Sequence, residues 1–182
     1  MARAMDVFWN QGYQGTSLPD LLQATKLSRG SLYAAFGDKH GLFLLALDRY
    51  IEQALARVDA DLDPREAALA GVRACISGYV ERTSGVNGKR GCLVVATAME
   101  LSAHDVEVER RIRRFFRAME ARLTAALTRA QTAGELAAGV EPATAARMLL
   151  CLFEGLRVVG KSSPNRAASQ AAADMLLDRL MK

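Results

Sequence analysis

The segment from Leu27 to Phe43, LSRGSLYAAFGDKHGLF, brings together several side chains suited to binding another molecule. Within it a guanidinium, two hydroxyls, a phenol and an ammonium group come from Arg29, Ser28, Ser31, Tyr33 and Lys39. Hydroxyl, phenol and ammonium groups near helix starts are common donors to phosphate, and guanidinium groups read base edges. The segment therefore indicates a contact with nucleic acid.

Two short helices joined by a tight turn must position these groups. Thr16 and Ser17 can cap a helix over residues 18–25, and Pro19 lies in its first turn, where a missing N–H costs little. Ser28 can cap the next helix. This pattern predicts a helix-turn-helix whose second helix is the recognition helix.

The recognition helix needs a slim outer face and an apolar inner face, since it must enter a major groove about 12 Å wide. We expect Arg29, Ser31 and Tyr33 to face outward. The inward anchors would be Leu27, Leu32 and Phe36, packed against Leu21, Leu22 and Phe8. Gly30 costs roughly 1 kcal/mol of helix propensity, which is understandable if the backbone approaches another surface closely. The alternative is a plain helical hairpin without a binding role.

The rest of the chain has apolar residues at spacings of three and four, which predicts an all-α fold of about nine helices. Asp38 can cap a long fourth helix, Asp63 with Pro64 can open a fifth that ends in the loop SGVNGKRG, and Asp105 can cap the seventh. We expect an N-terminal helix-turn-helix domain over residues 1–50 and a helical-bundle domain over residues 51–182.

Composition excludes several classes of protein. The 182 residues are 51% hydrophobic and 24% charged with a net charge of +4, and no run is long enough to span a membrane. A cytoplasmic protein without metal or cofactor is expected. Cys75, Cys92 and Cys151 lack the spacing of a zinc or disulfide site. His40 and His104 form no catalytic pair, and nucleophile and phosphate-loop motifs are absent, so an enzyme is not expected.

The stretch GYQGTSLPDLLQATKLSRGSLYAAFGDKHGLF, residues 12–43, resembles the DNA-binding signature of the tetracycline-repressor (TetR) family of bacterial transcription regulators. RGCLVVATAMEL and HDVEVERRIRRFF, further along, are similar to the start of the ligand-binding domain in one branch of that family. The resemblance implies a homodimeric repressor that binds a double-stranded DNA operator and is released by a small-molecule effector.

The resemblance also assigns residues to the DNA. Thr16 and Ser17 would bind phosphate from the start of the second helix. Base edges would be met by Arg29, Gly30 and Ser31, and further phosphates by Tyr33 and Lys39. Lys26 and Ser28, at the turn, complete the expected set. Lys26 replaces the glycine usual in the family, so it must tolerate a left-handed conformation.

Two further sets of residues are expected in the C-terminal domain. The walls of a largely apolar effector pocket would come from Tyr79, Val95, Met99, Glu100, Phe115, Phe116, Met119, Met148 and Leu152. A dimer interface that forms a four-helix bundle from the last two helices would use Leu149, Phe153, Leu156, Met175, Leu176 and Leu180.

Two alternatives remain open from the sequence. A helical adaptor that binds only protein would use the apolar faces of the last two helices. A thiol-redox-sensing repressor of the same fold would use Cys92, because Lys89 and Arg90 precede it at a helix start and can lower the pKa of its thiol.

Overall fold

The structure, a computed structural model, describes residues 1–63 and 65–181. Over these ranges the chain forms ten helices and no strand, which confirms the predicted all-α class. The helices are α1 (Ala2–Gly15), α2 (Leu18–Thr25), α3 (Arg29–Phe36), α4 (Lys39–Asp61), α5 (Ala68–Arg82), α6 (Gly85–Arg90), α7 (Leu93–Leu101), α8 (Val106–Thr132), α9 (Pro142–Ser162) and α10 (Arg166–Leu180). Nine of them are those expected from the sequence, and α6 is additional.

Most predicted helix starts are confirmed because their caps are local in sequence. The Ser17 hydroxyl accepts from the Asp20 N–H, and the Asp20 side chain accepts from the Ser17 N–H in a capping box. The Ser28 hydroxyl accepts from Ser31 N–H. Carboxylates cap two later helices. At the start of α4, Asp38 Oδ1 accepts from the Gly41 N–H, and at the start of α8, Asp105 Oδ1 accepts from the N–H groups of Glu107 and Val108.

Two expectations about the middle of the chain are wrong. Helix α5 begins at Ala68 and not at Asp63, because the Asp63 carboxylate instead accepts hydrogen bonds from the backbone and guanidinium of Arg65. Pro64 lies outside the described residues. The expected loop SGVNGKRG contains α6, which packs against α9 where Gly160 leaves room for the Thr83 carbonyl.

The described chain divides into two compact units. Unit 1 combines Met1–Ala54 with Cys92–Arg113, and unit 2 combines Leu55–Gly91 with the described residues from Arg114 onward. This division differs from the expected boundary at residue 50, because α7 and the first turns of α8 pack with the N-terminal helices. Among the described residues, no helix is both long and apolar enough to cross a lipid bilayer.

Each unit has its own core. In unit 1, Phe8 and Phe43 are fully buried and meet edge-to-face with ring centroids 5.0 Å apart, while Trp9 packs on Tyr50 in the same way at 4.8 Å. The largest fully buried side chains of unit 2 are Ile76, Met119, Leu123 and Phe153. The helix-turn-helix is therefore held by an aromatic core of its own unit.

Candidate nucleic-acid interface

The turn between α2 and α3 depends on Lys26. This residue ends α2 in the left-handed conformation, with φ 60° and ψ 24°, and its N–H donates to the Leu22 carbonyl at 3.0 Å. The expectation that Lys26 tolerates this conformation is confirmed. The reversal of the chain at Lys26 lets Ser28 begin the next helix two residues later.

Helix α3 is anchored chiefly by one side chain. Leu32 is fully buried, as are Leu21 and Phe8, and Phe36 is half-buried. The expectation that Leu27 anchors the helix is wrong. Leu27 is 36% exposed and borders a surface depression of about 330 Å³ lined also by Met1, Ala2, Arg3 and Thr25.

The opposite face of α3 is open. Arg29, Gly30, Ser31 and Tyr33 are all exposed, and Tyr33 is exposed by 45% although it is a large aromatic residue. A Cβ atom at Gly30 would meet only the Ser28 Oγ, at 4.0 Å. Packing within the protein therefore does not require a glycine at this position. The absence of a side chain leaves the α3 backbone accessible to another molecule.

Two residues expected at phosphates lie inward. Thr16 is 1% exposed and its Oγ1 donates to the Gly12 carbonyl at 2.6 Å, so its hydroxyl is not available to DNA, and that assignment is corrected. Lys39 Nζ donates to the Tyr13 and Thr16 carbonyls, each at 2.9 Å, and lies 4.3 Å from the Tyr13 ring centroid. Two of its three N–H donors thus hold the end of α1. A phosphate contact by Lys39 stays a prediction.

Glu100, expected as a polar group of the effector pocket, instead holds α1. Its two oxygens accept from the Tyr13 N–H at 3.0 Å and from the Gln14 N–H at 2.6 Å. These N–H groups are free of the helix ladder because Gly12 kinks α1 with φ 75° and ψ 175°. The pocket assignment of Glu100 is therefore corrected.

Three more contacts within unit 1 were not found from the sequence. His40 Nε2 lies 2.7 Å from Asp105 Oδ2, Arg111 Nε donates to Asp48 Oδ1 at 3.0 Å, and the Tyr50 hydroxyl donates to Cys92 Sγ at 3.4 Å. The partners in each pair are more than 40 residues apart, so no local pattern could have joined them. Together they fix α4 against α7 and α8 within unit 1.

The expected effector-pocket residues are divided between the units. In unit 2, Tyr79, Phe115 and Met119 are buried, and Phe116 and Leu152 are half-buried. Val95 is half-buried in unit 1. Met99 and Met148 are 86% and 48% exposed, so both are corrected: each faces away from the core of its unit and is no pocket wall.

The expected dimer helices carry exposed apolar side chains, which coincide only in part with the predicted interface. Leu149, Phe153, Leu156 and Leu180 are buried inside unit 2, so these four assignments are corrected. Met175 is 68% exposed and Leu176 is half-buried. On α9 the exposed apolar side chains are Met148, Val158 and Val159.

The exposure of the cysteines does not match the redox hypothesis. Cys92 is 7% exposed under the Tyr50 hydroxyl, so it is no accessible thiol, and its assignment as the redox sensor is corrected. Burial raises the pKa of the Cys75 thiol to about 12, whereas Cys151 is exposed on α9. Among the described residues no group of three or more His, Cys, Asp or Glu side chains could hold a metal ion.

Two family profiles match the sequence. The profile described as "Bacterial regulatory proteins, tetR family" matches residues 1–46, which contain α1, the α2–α3 turn and the start of α4. The profile described as "Tetracyclin repressor-like, C-terminal domain" matches residues 68–176. The first match contains every residue expected at DNA.

Two sequence relatives cover most of the chain. The HTH-type transcriptional repressor ComR of Escherichia coli is 31% identical over 160 residues, which is 86% of this chain and 75% of ComR. The uncharacterized HTH-type transcriptional regulator YezE of Bacillus subtilis is 34% identical over 134 residues, which is 74% of this chain and 69% of YezE.

Solved structures share the fold. A cysteine mutant of the TetR family transcriptional regulator CifR, complexed with 26-bp double-strand operator DNA, is 32% identical with a TM-score of 0.85, covering 97% of this chain and 93% of CifR. Reduced Escherichia coli NemR has a TM-score of 0.88 at 21% identity, over 98% of this chain and 93% of NemR, and shows a likeness of fold alone.

Proposed function

Because the chain belongs to the TetR family of bacterial transcription regulators, we propose that it is a repressor, which binds a palindromic operator as a homodimer and is released by a small-molecule effector. Family membership makes it a DNA-binding regulator and not an enzyme. The repressor role is supported by the name of ComR, and the operator by the CifR complex with DNA.

The observation that carries the proposal is the open face of α3. Leu32 fixes this helix to the core of unit 1, while Arg29, Ser31 and Tyr33 remain exposed beside a glycine that internal packing does not require. We propose that Arg29 binds a guanine edge and that Ser31 lies at base edges. Exposed Tyr33 is proposed to donate to a phosphate, which fixes register without reading sequence. Ser17 is exposed too, but it would have to give up the hydrogen bond that its hydroxyl donates to Asp20 Oδ2 at 2.6 Å before it could bind a phosphate.

A homodimer is supported by α9 and α10. Met148, Val158, Val159 and Met175 are between 48% and 68% exposed on these two helices. Exposed apolar side chains of this kind are typical of a protein interface. A second copy related by a two-fold axis would cover them with the same surface, and the symmetry would require a palindromic operator.

The effector is proposed to bind in unit 2, where half-buried Phe116 and Leu152 can offer apolar contacts to a small molecule. We propose that α4 transmits the response, because it contributes residues to unit 1 up to Ala54 and to unit 2 from Leu55. Such coupling is about 1–3 kcal/mol, or roughly 5- to 150-fold in DNA affinity, and operator DNA must weaken effector binding by the same factor.

Selection of bound sequences from a random DNA pool tests the proposal. The expected result is a palindrome whose half-sites lie about one helical turn apart or somewhat more. Mobility shift on the selected sequence then gives the operator affinity at a stated salt concentration. Enrichment of no sequence by a folded protein would exclude an operator-binding repressor and would favour a helical adaptor that binds only protein.

A further inference from the structure

Unit 2 contains a group of ionisable side chains that DNA binding does not use. Tyr79 on α5 is 3% exposed, and its ring stacks on Phe153 of α9 with centroids 3.9 Å apart and planes 7° from parallel. The guanidinium carbons of Arg82 and Arg157 lie 4.9 and 5.0 Å from the centroid of the same ring. Tyr79, Arg82 and Arg157 are called the Tyr79 cluster below.

Two guanidinium groups beside one buried ring repel each other and lose hydration. Arg157 is only 8% exposed. The pKa of Arg82 is lowered, first by burial and then by the charge of Arg157. Arg82 Nε is buried and has no hydrogen-bond partner, which is a costly state for a guanidinium donor. An anion between these groups would relieve both costs.

The backbone leaves room for this arrangement. A Cβ atom at Gly78 would lie 2.8 Å from Arg82 Nη1 and 3.2 Å from Nη2, so the guanidinium lies where any larger residue would place its side chain. Gly78 is one turn before Arg82 on α5. The glycine therefore allows the Arg82 head group to fold back along its own helix toward Tyr79.

Two nearby acids compensate for the arginines only in part. The charge of Arg82 acts on Asp61, and the charge of Arg157 acts on Glu154, yet burial raises the pKa of both carboxyls, that of Glu154 to about 7. One oxygen of each, Asp61 Oδ2 and Glu154 Oε2, is buried without a hydrogen-bond partner. Burial favours the uncharged form of both acids, so each supplies only part of a negative charge, and a singly charged ligand suffices to balance the remainder.

We propose that the Tyr79 cluster is an anion site that binds the carboxylate of a small organic acid, and that such an acid is the effector. A planar guanidinium matches a carboxylate with two parallel N–H···O bonds, and two such groups can hold it from two sides. This inference rests on the proposed effector response and adds its chemical class.

Direct binding to the DNA-free protein tests the site. The probes are benzoate, phenylacetate, hexanoate and octanoate, each paired with its neutral amide, with inorganic phosphate as a further probe. We expect at least one carboxylate to bind roughly tenfold or more tightly than its amide, since hydrogen bonds between charged groups are lost in the amide. Calorimetry measures each affinity. Equal affinity of every acid and amide, binding of none, or a preference for phosphate would overturn the proposal.

Variants place the binding on the cluster. Arg82→Met and Arg157→Met should abolish the preference for the acid, whereas Arg73→Met, which removes an exposed arginine of the same helix α5, should keep it. Should a Met variant fail to fold by circular dichroism, Gly78→Ala and Arg82→Lys displace or reshape the head group with less disturbance, and both should weaken acid binding. Unchanged acid binding in all folded variants would place the site elsewhere and refute it.

Operator binding is measured separately, so the two proposals can fail independently. Acid binding without any operator binding would refute the repressor and leave the anion site. Operator binding that only neutral molecules release would refute the anion effector and leave the repressor.

Discussion

Lys26 shows how one residue is strained so that a turn can form. Its left-handed conformation costs a residue with a Cβ atom about 1–2 kcal/mol, and glycine largely avoids this cost. We expect Lys26→Gly to raise the free energy of unfolding by about 1 kcal/mol, measured by urea denaturation. Gln23→Gly, an exposed position inside α2, should instead lower it by a similar amount. A Lys26→Gly protein less stable than its parent would show that the turn is unstrained.

Arg29 and Tyr33 should affect DNA recognition in different ways although both are exposed on α3. Arg29→Ala should relax preference at one base pair in each half-site and cost about 1–3 kcal/mol if its guanidinium binds guanine with two hydrogen bonds. Tyr33→Phe removes one phosphate donor and should weaken binding to all sequences alike. Selection from random DNA with each variant checks this. An unchanged base preference in Arg29→Ala would contradict the assignment.

Glu154 makes stability depend on pH, because the folded protein holds its proton up to about pH 7 while the unfolded chain releases it near the ordinary value of 4.5. The pKa is raised by burial, against the opposing charge of Arg157. The folded state therefore loses stability as pH rises from about 4.5 to 7, by up to about 3 kcal/mol.

Glu154→Gln should remove this loss. The variant and parent should be similar in stability at pH 4.5, and the variant should be more stable above pH 7, as urea denaturation at both pH values measures. Exposed Glu52→Gln controls for the general loss of a negative charge. Equal stability of the Glu154 variant and its parent at pH 8 would mean that the Glu154 carboxyl has an ordinary pKa in the folded protein.

At the scale of helices, α1 is fixed by side chains from elsewhere in unit 1. Glu100 of α7 binds two N–H groups after the kink, and Lys39 of α4 binds the Tyr13 and Thr16 carbonyls. The end of α1 thus has partners for groups that a continuous helix would have satisfied itself. A displacement of α7 would pull directly on the segment that leads into α2.

Glu100→Ala should therefore loosen the helix-turn-helix. We expect a loss of about 1–3 kcal/mol in unfolding free energy, the usual worth of hydrogen bonds to a charged group, and weaker operator binding. Glu100→Gln retains one acceptor oxygen, so its unfolding free energy and its operator affinity should lie between those of the parent and those of Glu100→Ala. Exposed Glu52→Ala should change neither quantity. Full operator affinity in Glu100→Ala would show that this link does not support DNA binding.

The sequence predicted helices and their caps well because those depend on neighbouring residues. Ser17, Ser28, Asp38 and Asp105 each bind an N–H two or three residues away, so a short pattern contains both partners. Glu100 accepts from the Tyr13 N–H, 87 residues earlier, and no periodic pattern in the sequence could predict a pair so far apart.

Helix faces were predicted less well where a helix is apolar on several sides. Along α9, Leu149 and Phe153 are as apolar as Val158 and Val159, yet the first two are buried in unit 2 and the others are exposed. Periodicity could identify the helix but not the side that faces its own core. The predicted phosphate contact of Thr16 was wrong for a related reason, because its hydroxyl, which could cap α2, instead donates to the Gly12 carbonyl.

For the whole molecule, the exposed apolar side chains of α9 and α10 predict that a charge there will separate the proposed dimer. Val159→Asp places a carboxylate on this surface, where a partner would have to bury it without a counter-charge. We expect a folded monomer by light scattering at micromolar concentration, with operator binding weaker by at least roughly tenfold, since each half-site is then bound alone. Val86→Asp, an 88% exposed position on α6, is the matched control and should stay dimeric. A Val159→Asp protein that remains a dimer would place the two-fold interface on another surface of the chain.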